Sequence, residues 1–387
     1  MRPTRAATAG MAAMAVLLLG ALLTACASDV EVAAEGGAAQ QPNPTTSEVA
    51  SAPEAQTSST PVPAGTAGSD ATNAFSGMTV EFVVPFEPGG GYDVYARLLA
   101  PDLSECLGAE VIVVNEPGAG GLLATNQTWI GPPDGSRIQI MNTIGVLGSY
   151  LGQAEGVQYE PADFSWIGRF TGEPDLLVTA ADGRIQSLED MVAVPESEPV
   201  TFAATGTGSN AFLDALIVLE IFDVPGRVVS GFSGGEGIQA LLAGDVDAES
   251  RSLTSQLPQV LNGEATAIMV MGSQEVEELP GVPTLLNVEV DDETDRAVLE
   301  QHAGLIESGR SIAGPPDMDP NALQQLRDCY EKIATDAESP FRVAAEVQGR
   351  ILHPMTGEQL QDLISNLALN AAPEYVDIVR SAYSEGP

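Results

Sequence analysis

Four times in this chain an apolar run of strand length ends in a glycine-rich turn, and a helical pattern follows. The turns are "PFEPGGGYD" (Pro85–Asp93), "NEPGAGG" (Asn115–Gly121), "ATGTGSN" (Ala204–Asn210) and "GFSGGEG" (Gly231–Gly237). Apolar strand runs such as "MTVEFVVPF" and "AEVIVVNEP" give way to helical spacing in "YDVYARLLAPDLSECLG" and "LLATNQTWIG". The alternation predicts an α/β architecture with largely parallel sheets. Further strands are read in "SRIQIMNT", "DLLVTAA", "PVTFAAT", "GRVVSGF" and "TAIMVMG", and the region after Asn321 reads as helical. Ligands of open α/β sheets sit beyond the carboxyl ends of the strands. The four turns are therefore candidate walls of one cleft. Ser76 to Pro387 is about twice a typical domain length, so two lobes are expected.

The residues before that body read as targeting and tether. Arg2 and Arg5 precede an apolar run from Met11 to Leu23, and "LTAC" follows (Leu23–Cys26). This is a secretory signal over 1–25. Small residues leading into a cysteine make a lipobox, with Cys26 the expected site of lipidation. An ordinary secretory signal that contains a cysteine is the plainer alternative, and the spacing favours the lipoprotein. Residues 26–75, rich in Ala, Ser, Thr and Pro, have almost no large apolar side chains and are expected to form a disordered tether.

Charge narrows the partners. The formal net charge is −39, and losing Arg2 and Arg5 with the signal takes it to −41. Nucleic acid and anionic lipid surfaces are poor partners for such a chain. An anionic ligand would be repelled globally and needs a strong local cluster of donors. Two histidines and two cysteines beyond Cys26 do not make a usual zinc site. "DMDPN" (Asp317–Asn321) lacks the glycine and closing glutamate of a calcium loop and reads as a turn and helix cap. No metal and no cofactor are expected. Cys106 and Cys329 both lie on amphipathic helical patterns, and two readings stand for them: one disulfide, or two buried free thiols.

"PGGGYD" has neither the Walker lysine nor the G-x-G-x-x-G spacing, which argues against nucleotide phosphate. Glycines admit a ligand close to backbone amides, and a helix N-terminus adds unpaired N–H donors and partial positive charge. That combination holds a carboxylate without a basic side chain. Asp93 is placed to cap the helix and hold the loop. "TGTGSN" (Thr205–Asn210) is a second donor cluster, with Ser209 a candidate helix cap. "GFSGG" matches the G-x-S-x-G nucleophile elbow, so a serine hydrolase using Ser233 with His302 or His353 is a rival reading. Against it, no HGGG-type oxyanion loop is present and Pro354 directly follows His353. Arg169 in "WIGRF" and Arg251 in "AESRSL" are candidate carboxylate clamps, with structural ion pairing the plainer role for each.

Taken in order, "VEFVVPFEPGGGYDVYARLLA", "VIVVNEPGAGGLLATN", "PPDGSRIQIMNT", "TGTGSN" and "VVSGFSGGEGIQALLAGDVDAES" resemble one family. These are the Bug-type solute receptors of tripartite tricarboxylate transporters, and "LPGVPTL" (Leu279–Leu285) is similar to a family segment as well. The resemblance implies a periplasmic-binding-type fold of two α/β lobes closing on a small organic carboxylate. It places lobe 1 at 76–178 and 304–387, and lobe 2 at 179–303. On the ligand it implies Phe86, Gly89, Gly90, Gly91, Tyr92 and Asp93 from one side, with Thr143 at a further contact position. From the second lobe it implies Thr205, Gly206, Thr207 and Ser209, with Phe232, Ser233 and Gly234 beside them. Two departures bear on the ligand. Tyr92 stands where many members carry a small hydroxyl residue, and Phe232 where tyrosine is common.

The expectation from residues and resemblance together is a monomeric, non-enzymatic receptor, lipid-anchored outside a bacterial cytoplasm. It would deliver its carboxylate to integral membrane transporter subunits. A ligand-sensing adaptor with the same fold is the other rival reading.

Overall fold

The computed structural model describes residues 73–233 and 235–385. The signal segment, Cys26, the tether up to residue 72 and Gly234 lie outside the described residues. The described residues form a single compact unit.

The described residues begin with three alternations of strand and helix. They run β1 (Thr79–Val84), α1 (Gly91–Leu107), β2 (Glu110–Asn115), α2 (Leu122–Trp129), β3 (Arg137–Asn142), α3 (Thr143–Leu151) and β4 (Ser165–Thr171). It then crosses to a second sheet. There follow β5 (Asp175–Ala180), α4 (Leu188–Val192), β6 (Val200–Ala204), α5 (Asn210–Ile221), β7 (Gly226–Ser230) and α6 (Glu236–Ala243). That sheet is completed by β8 (Ala248–Ser252), α7 (Leu253–Leu261) and β9 (Ala265–Met271). The return runs through α8 (Glu293–Ser308), β10 (Arg310–Gly314), α9 (Pro320–Thr335) and α10 (Pro340–Val347). It ends with β11 (Met355–Thr356), α11 (Gly357–Leu369) and α12 (Pro373–Glu385).

The six-stranded sheet has the order β11-β4-β10-β3-β1-β2 and the five-stranded sheet β7-β6-β8-β5-β9. Parallel pairing holds where helices connect the strands: β1 with β2 and β3, and β6 with β7 and β8. It fails at the strands by which the chain changes lobe. β10 is antiparallel to β3 and β4, and β5 to β8 and β9. A parallel pair needs a long crossover, whereas β5 enters its sheet straight from β4 through Gly172–Pro174. The sheets are therefore mixed rather than largely parallel. β5 lies wholly in the second sheet, so the crossing falls at 172–174, before the 178 read from sequence. The return at 304 falls inside α8.

Each sheet is apolar where helices cover it. Phe75, Val80, Phe82, Tyr95, Leu99, Ile138, Ile312, Tyr330 and Phe341 are buried together on one side of the first sheet. Phe75 was expected to end the tether; its side chain is fully buried, so the folded body already includes it. A second cluster joins Trp166, Phe202, Leu213, Leu305 and Tyr375, which puts α5, α8 and α12 in one core. Of the two readings open for the cysteines, the disulfide is the one present: Cys106 near the end of α1 is bonded to Cys329 on α9.

Candidate functional site

The first turn after β1 is built to keep donors free. Gly90 precedes α1 with no side chain capping it, so the first N–H groups of the helix have no intrahelical partner. Gly89 sits at φ 89°, a left-handed conformation that glycine adopts without penalty. Asp93 holds the turn from behind. Its carboxylate accepts the Gly89 N–H at 2.9 Å, Asn115 Nδ2 at 3.0 Å and Arg97 Nε at 2.9 Å. Burial alone would raise its pKa, but these hydrogen bonds hold it below the ordinary value. Asp93 thus shapes the loop and does not line the cleft.

The cleft itself encloses about 100 Å³ between the two lobes. From the first lobe it is lined by Phe86, Gly90, Gly91, Tyr92 and Arg310, and from the second by Thr205, Ser209, Asn210, Asp175 and Arg251. Glu87, Ala211 and Ser250 line it too, together with Ser252 and Ser255 at the start of α7. The N-termini of α1 and α5 both open onto it, one from each lobe. Ser209 caps α5, accepting the Phe212 N–H at 3.3 Å and donating to the Gly206 carbonyl at 2.8 Å.

Three charged residues that sequence reasoning did not single out meet here. Arg310, at the start of β10, is buried, and its Nη1 is bonded to the equally buried Glu173. Its guanidinium also lies 4.9 Å from the Tyr92 ring centre and 5.6 Å from that of Tyr95. Glu173 accepts further from the Thr254 N–H and hydroxyl, both at 3.3 Å. Asp175 is 2% exposed, and its Oδ2 accepts Asn210 Nδ2 at 2.9 Å. Burial, helped by the nearby Asp214, pushes its pKa up to about 8 against the pull of Arg310. Arg310 and Asp175 flank the two segments by which the chain changes lobe. No local motif marks them; the only signal is an ionisable residue at the first position of an otherwise apolar strand.

The Arg251 side chain makes no hydrogen bond or ion pair among the described residues, although its charge acts on the buried Glu249, and it lines the cleft. Arg169 does not reach it. Its Nη1 donates to the Glu307 carbonyl at 2.6 Å, and Nε and Nη2 donate to the His353 carbonyl at 3.2 and 3.0 Å. Of the two candidate clamps, only Arg251 is placed to serve.

The remaining expected contacts divide. Thr143 is fully buried on the first turn of α3 and lines no part of the cleft. Its neighbour Asn142 does not line the cleft either but sits at the joint behind it. Asn142 Oδ1 accepts the Tyr92 hydroxyl at 3.1 Å, and its Nδ2 donates to the Gly208 carbonyl at 3.0 Å, which ties the two lobes. Gly206 and Thr207 lie at the same joint. A Cβ on Gly206 would come within 2.7 Å of the Gly120 nitrogen, and the Thr207 carbonyl accepts the Tyr383 hydroxyl at 2.7 Å. Phe232 and Ser233 line an adjoining outer cavity that shares Phe86, Glu87 and Thr205 with the cleft.

The nucleophile-elbow reading finds no histidine beside its serine among the described residues. Ser233 Oγ donates to Glu236 at 2.9 Å. His302 is buried elsewhere: its Nε2 is 2.8 Å from Asp214 Oδ1, and its Nδ1 is 3.2 Å from the Tyr375 hydroxyl. Among the described residues no histidine is hydrogen-bonded to Ser233. "DMDPN" behaves as a cap, with Asp319 accepting the Asn321 and Ala322 N–H groups at 3.0 Å.

Two α/β lobes joined by crossing strands around a donor-lined cleft define a two-lobed solute-binding protein. Residues 95–340 match the family described as "Tripartite tricarboxylate transporter family receptor" (TctC), and the chain belongs to that family. Two curated relatives are similar to it. A "UPF0065 protein in tcbD-tcbE intergenic region" of Pseudomonas sp. (strain P51) is 30% identical over 220 residues, 55% of this chain and 64% of the relative. Protein BugT of Bordetella pertussis is 28% identical over 229 residues, 57% of this chain and 69% of the relative. The chain thus spans about two thirds of the length of these relatives. Among solved structures, MatC (Rpa3494) of Rhodopseudomonas palustris with bound malate superposes with TM-score 0.62 at 22% identity. That match covers 78% of this chain and 99% of MatC. Rpa4515 of R. palustris with adipate gives TM-score 0.64 at 20% identity, covering 79% of this chain and 97% of that one.

Proposed function

We propose that this chain is an extracytoplasmic receptor that binds a small organic carboxylate and hands it to the membrane subunits of a tripartite tricarboxylate-type transporter. The observation that carries the reading is the convergence of two helix N-termini, α1 and α5, on one cavity that also holds the unpartnered Arg251. Backbone donors supply charge complementarity to an anion where the protein's own acids surround it. Closure of the lobes brings the α1 amides and the α5 amides onto the same ligand. The malate and adipate held by the two R. palustris neighbours are of the same chemical class, which supports the assignment. Anchoring through Cys26 keeps the receptor beside its transporter.

A thermal-shift screen against mono-, di-, tri-, aromatic and amino carboxylates tests the ligand class. A ligand present at about 100 times its Kd adds roughly 2.7 kcal/mol of stability, an effect easily read as a rise in Tm. If no carboxylate in a broad panel raises Tm, the assignment falls. Pull-down of integral membrane subunits by the loaded but not the empty receptor tests delivery. Release of Cys26→Ser from the membrane fraction tests the anchor.

A further inference from the structure

One aromatic side chain stands between the cleft and the joint behind it, and it is held at both ends. Tyr92 lines the cleft from the first turn of α1. Its ring lies against the Phe86 ring, centres 4.8 Å apart, and against the Arg310 guanidinium, 4.9 Å from the ring centre. Its hydroxyl leaves the cleft and donates to Asn142 Oδ1 at 3.1 Å. Asn142 is itself fixed: Nδ2 donates to the Gly208 carbonyl at 3.0 Å, and Oδ1 also accepts the Gly145 N–H at 3.3 Å. Burial of the Tyr92 hydroxyl raises its pKa against the pull of Arg310, so it keeps its proton and stays a donor to Asn142.

Behind that pair lies a second cavity of about 10 Å³, lined among others by Asn142, Gly208, Thr125 and Ser149. It shares no lining residue with the cleft, and it has room for roughly one water molecule. Tyr92 and Asn142 thus form a partition, with the ring as its face on the cleft and the amide as its face on the joint. A ligand chain that grows towards the joint meets the Tyr92 ring. The ring cannot swing aside without giving up the Asn142 hydrogen bond and its contact with Arg310. Because the hydroxyl is spent on Asn142, Tyr92 offers the ligand a wall. On its other side the cleft adjoins the outer cavity past Phe86 and Thr205, so Tyr92 governs depth towards the joint alone.

We propose that Tyr92 is the residue that determines ligand length: its ring is a fixed partition that ends the cleft short of the joint and excludes carboxylates whose chain reaches past it. This rests on the carboxylate-receptor reading above. Removing the ring joins the cleft to the space around Asn142 and turns the amide of Asn142 into cleft lining. The hydroxyl alone is not the determinant, because the ring without it still closes the same end.

The test is isothermal titration of the purified receptor with three homologous series of acids: acetate to octanoate, oxalate to suberate, and glycine to 2-aminooctanoate. In at least one series Tyr92→Ser should move the tightest-binding member to a longer acid. The ratio of affinities between the old and the new optimum should change by about tenfold or more, the worth of a methylene in a fitted pocket. Tyr92→Phe should keep the wild-type ranking, and Tyr92→Leu should shift it as Tyr92→Ser does if the serine variant fails to fold. A ranking that stays the same in Tyr92→Ser or Tyr92→Leu, or that shifts equally in Tyr92→Phe, overturns the proposal while leaving the receptor reading standing. Binding of no acid in any series by wild type or variants removes both.

Discussion

The turns after β1 and after β7 share one grammar, strand–glycine–helix, yet the acid of the first helical turn takes different donors in each. At α1 the acid of the first turn, Asp93, reaches backwards to Gly89, Arg97 and Asn115, and the amides ahead of it stay open. At α6 the acid of the first turn, Glu236, also reaches back into its turn, and it takes both the Ser233 N–H and the Ser233 hydroxyl, each at 2.9 Å. The glycines set the shape of a turn. Which of its donors stay open depends on which ones the first-turn carboxylate takes.

The largest test of this contrast is to unpin α1. The Cys106–Cys329 disulfide closes a loop of sequence separation 223 and ties the far end of α1 to α9. Replacing both cysteines by alanine should cost about 2–5 kcal/mol, read by denaturant unfolding, and loosen ligand binding. Next comes Asp93→Ala, which strips a buried acceptor from three donors and should cost about 1–3 kcal/mol with a clear loss of affinity. Gly89→Ala has no contact within 4 Å to clash with, so its cost is backbone strain alone, about 1 kcal/mol. Ser233→Ala is the smallest: Tm and affinity should stay at wild-type values, and no fluorophosphonate label should appear on wild-type protein. A large loss of affinity in that variant would erase the contrast.

Acid and alkali give a further handle, because Asp93 and Asp175 are shifted in opposite directions. Asp93 sits below its ordinary value of 3.8, so its contribution is present above that pH and is lost as pH falls through the folded value. Asp175 is raised to about 8, so its contribution is complete below 3.8 and is lost as pH rises towards 8. Between pH 5 and 8 the Tm of Asp175→Asn should therefore rise relative to wild type, while that of Asp93→Asn should not.

The strand–turn–helix units, the α1 loop and the second donor cluster were legible because each is a local pattern. Strand direction was not: an apolar alternation reads the same in either sense, so the antiparallel β5 and β10 appeared only with the topology. The same holds for the cleft charges. Arg169 and Arg251 look alike in sequence, and the carbonyls of Glu307 and His353, far along the chain, bind the one and leave the other. Arg310 reaches the cleft only because β10 inserts between β3 and β4.

The joint between Gly120 and Gly208 sets a dimension as well as a contact. A Cβ on Gly120, which sits at φ 66°, would stand 2.7 Å from the Gly208 nitrogen, so the jaws shut main chain against main chain. The closed aperture is thus gauged by the thickness of a peptide group, a quantity that side-chain substitution cannot thin. A methyl at that point would act as a shim.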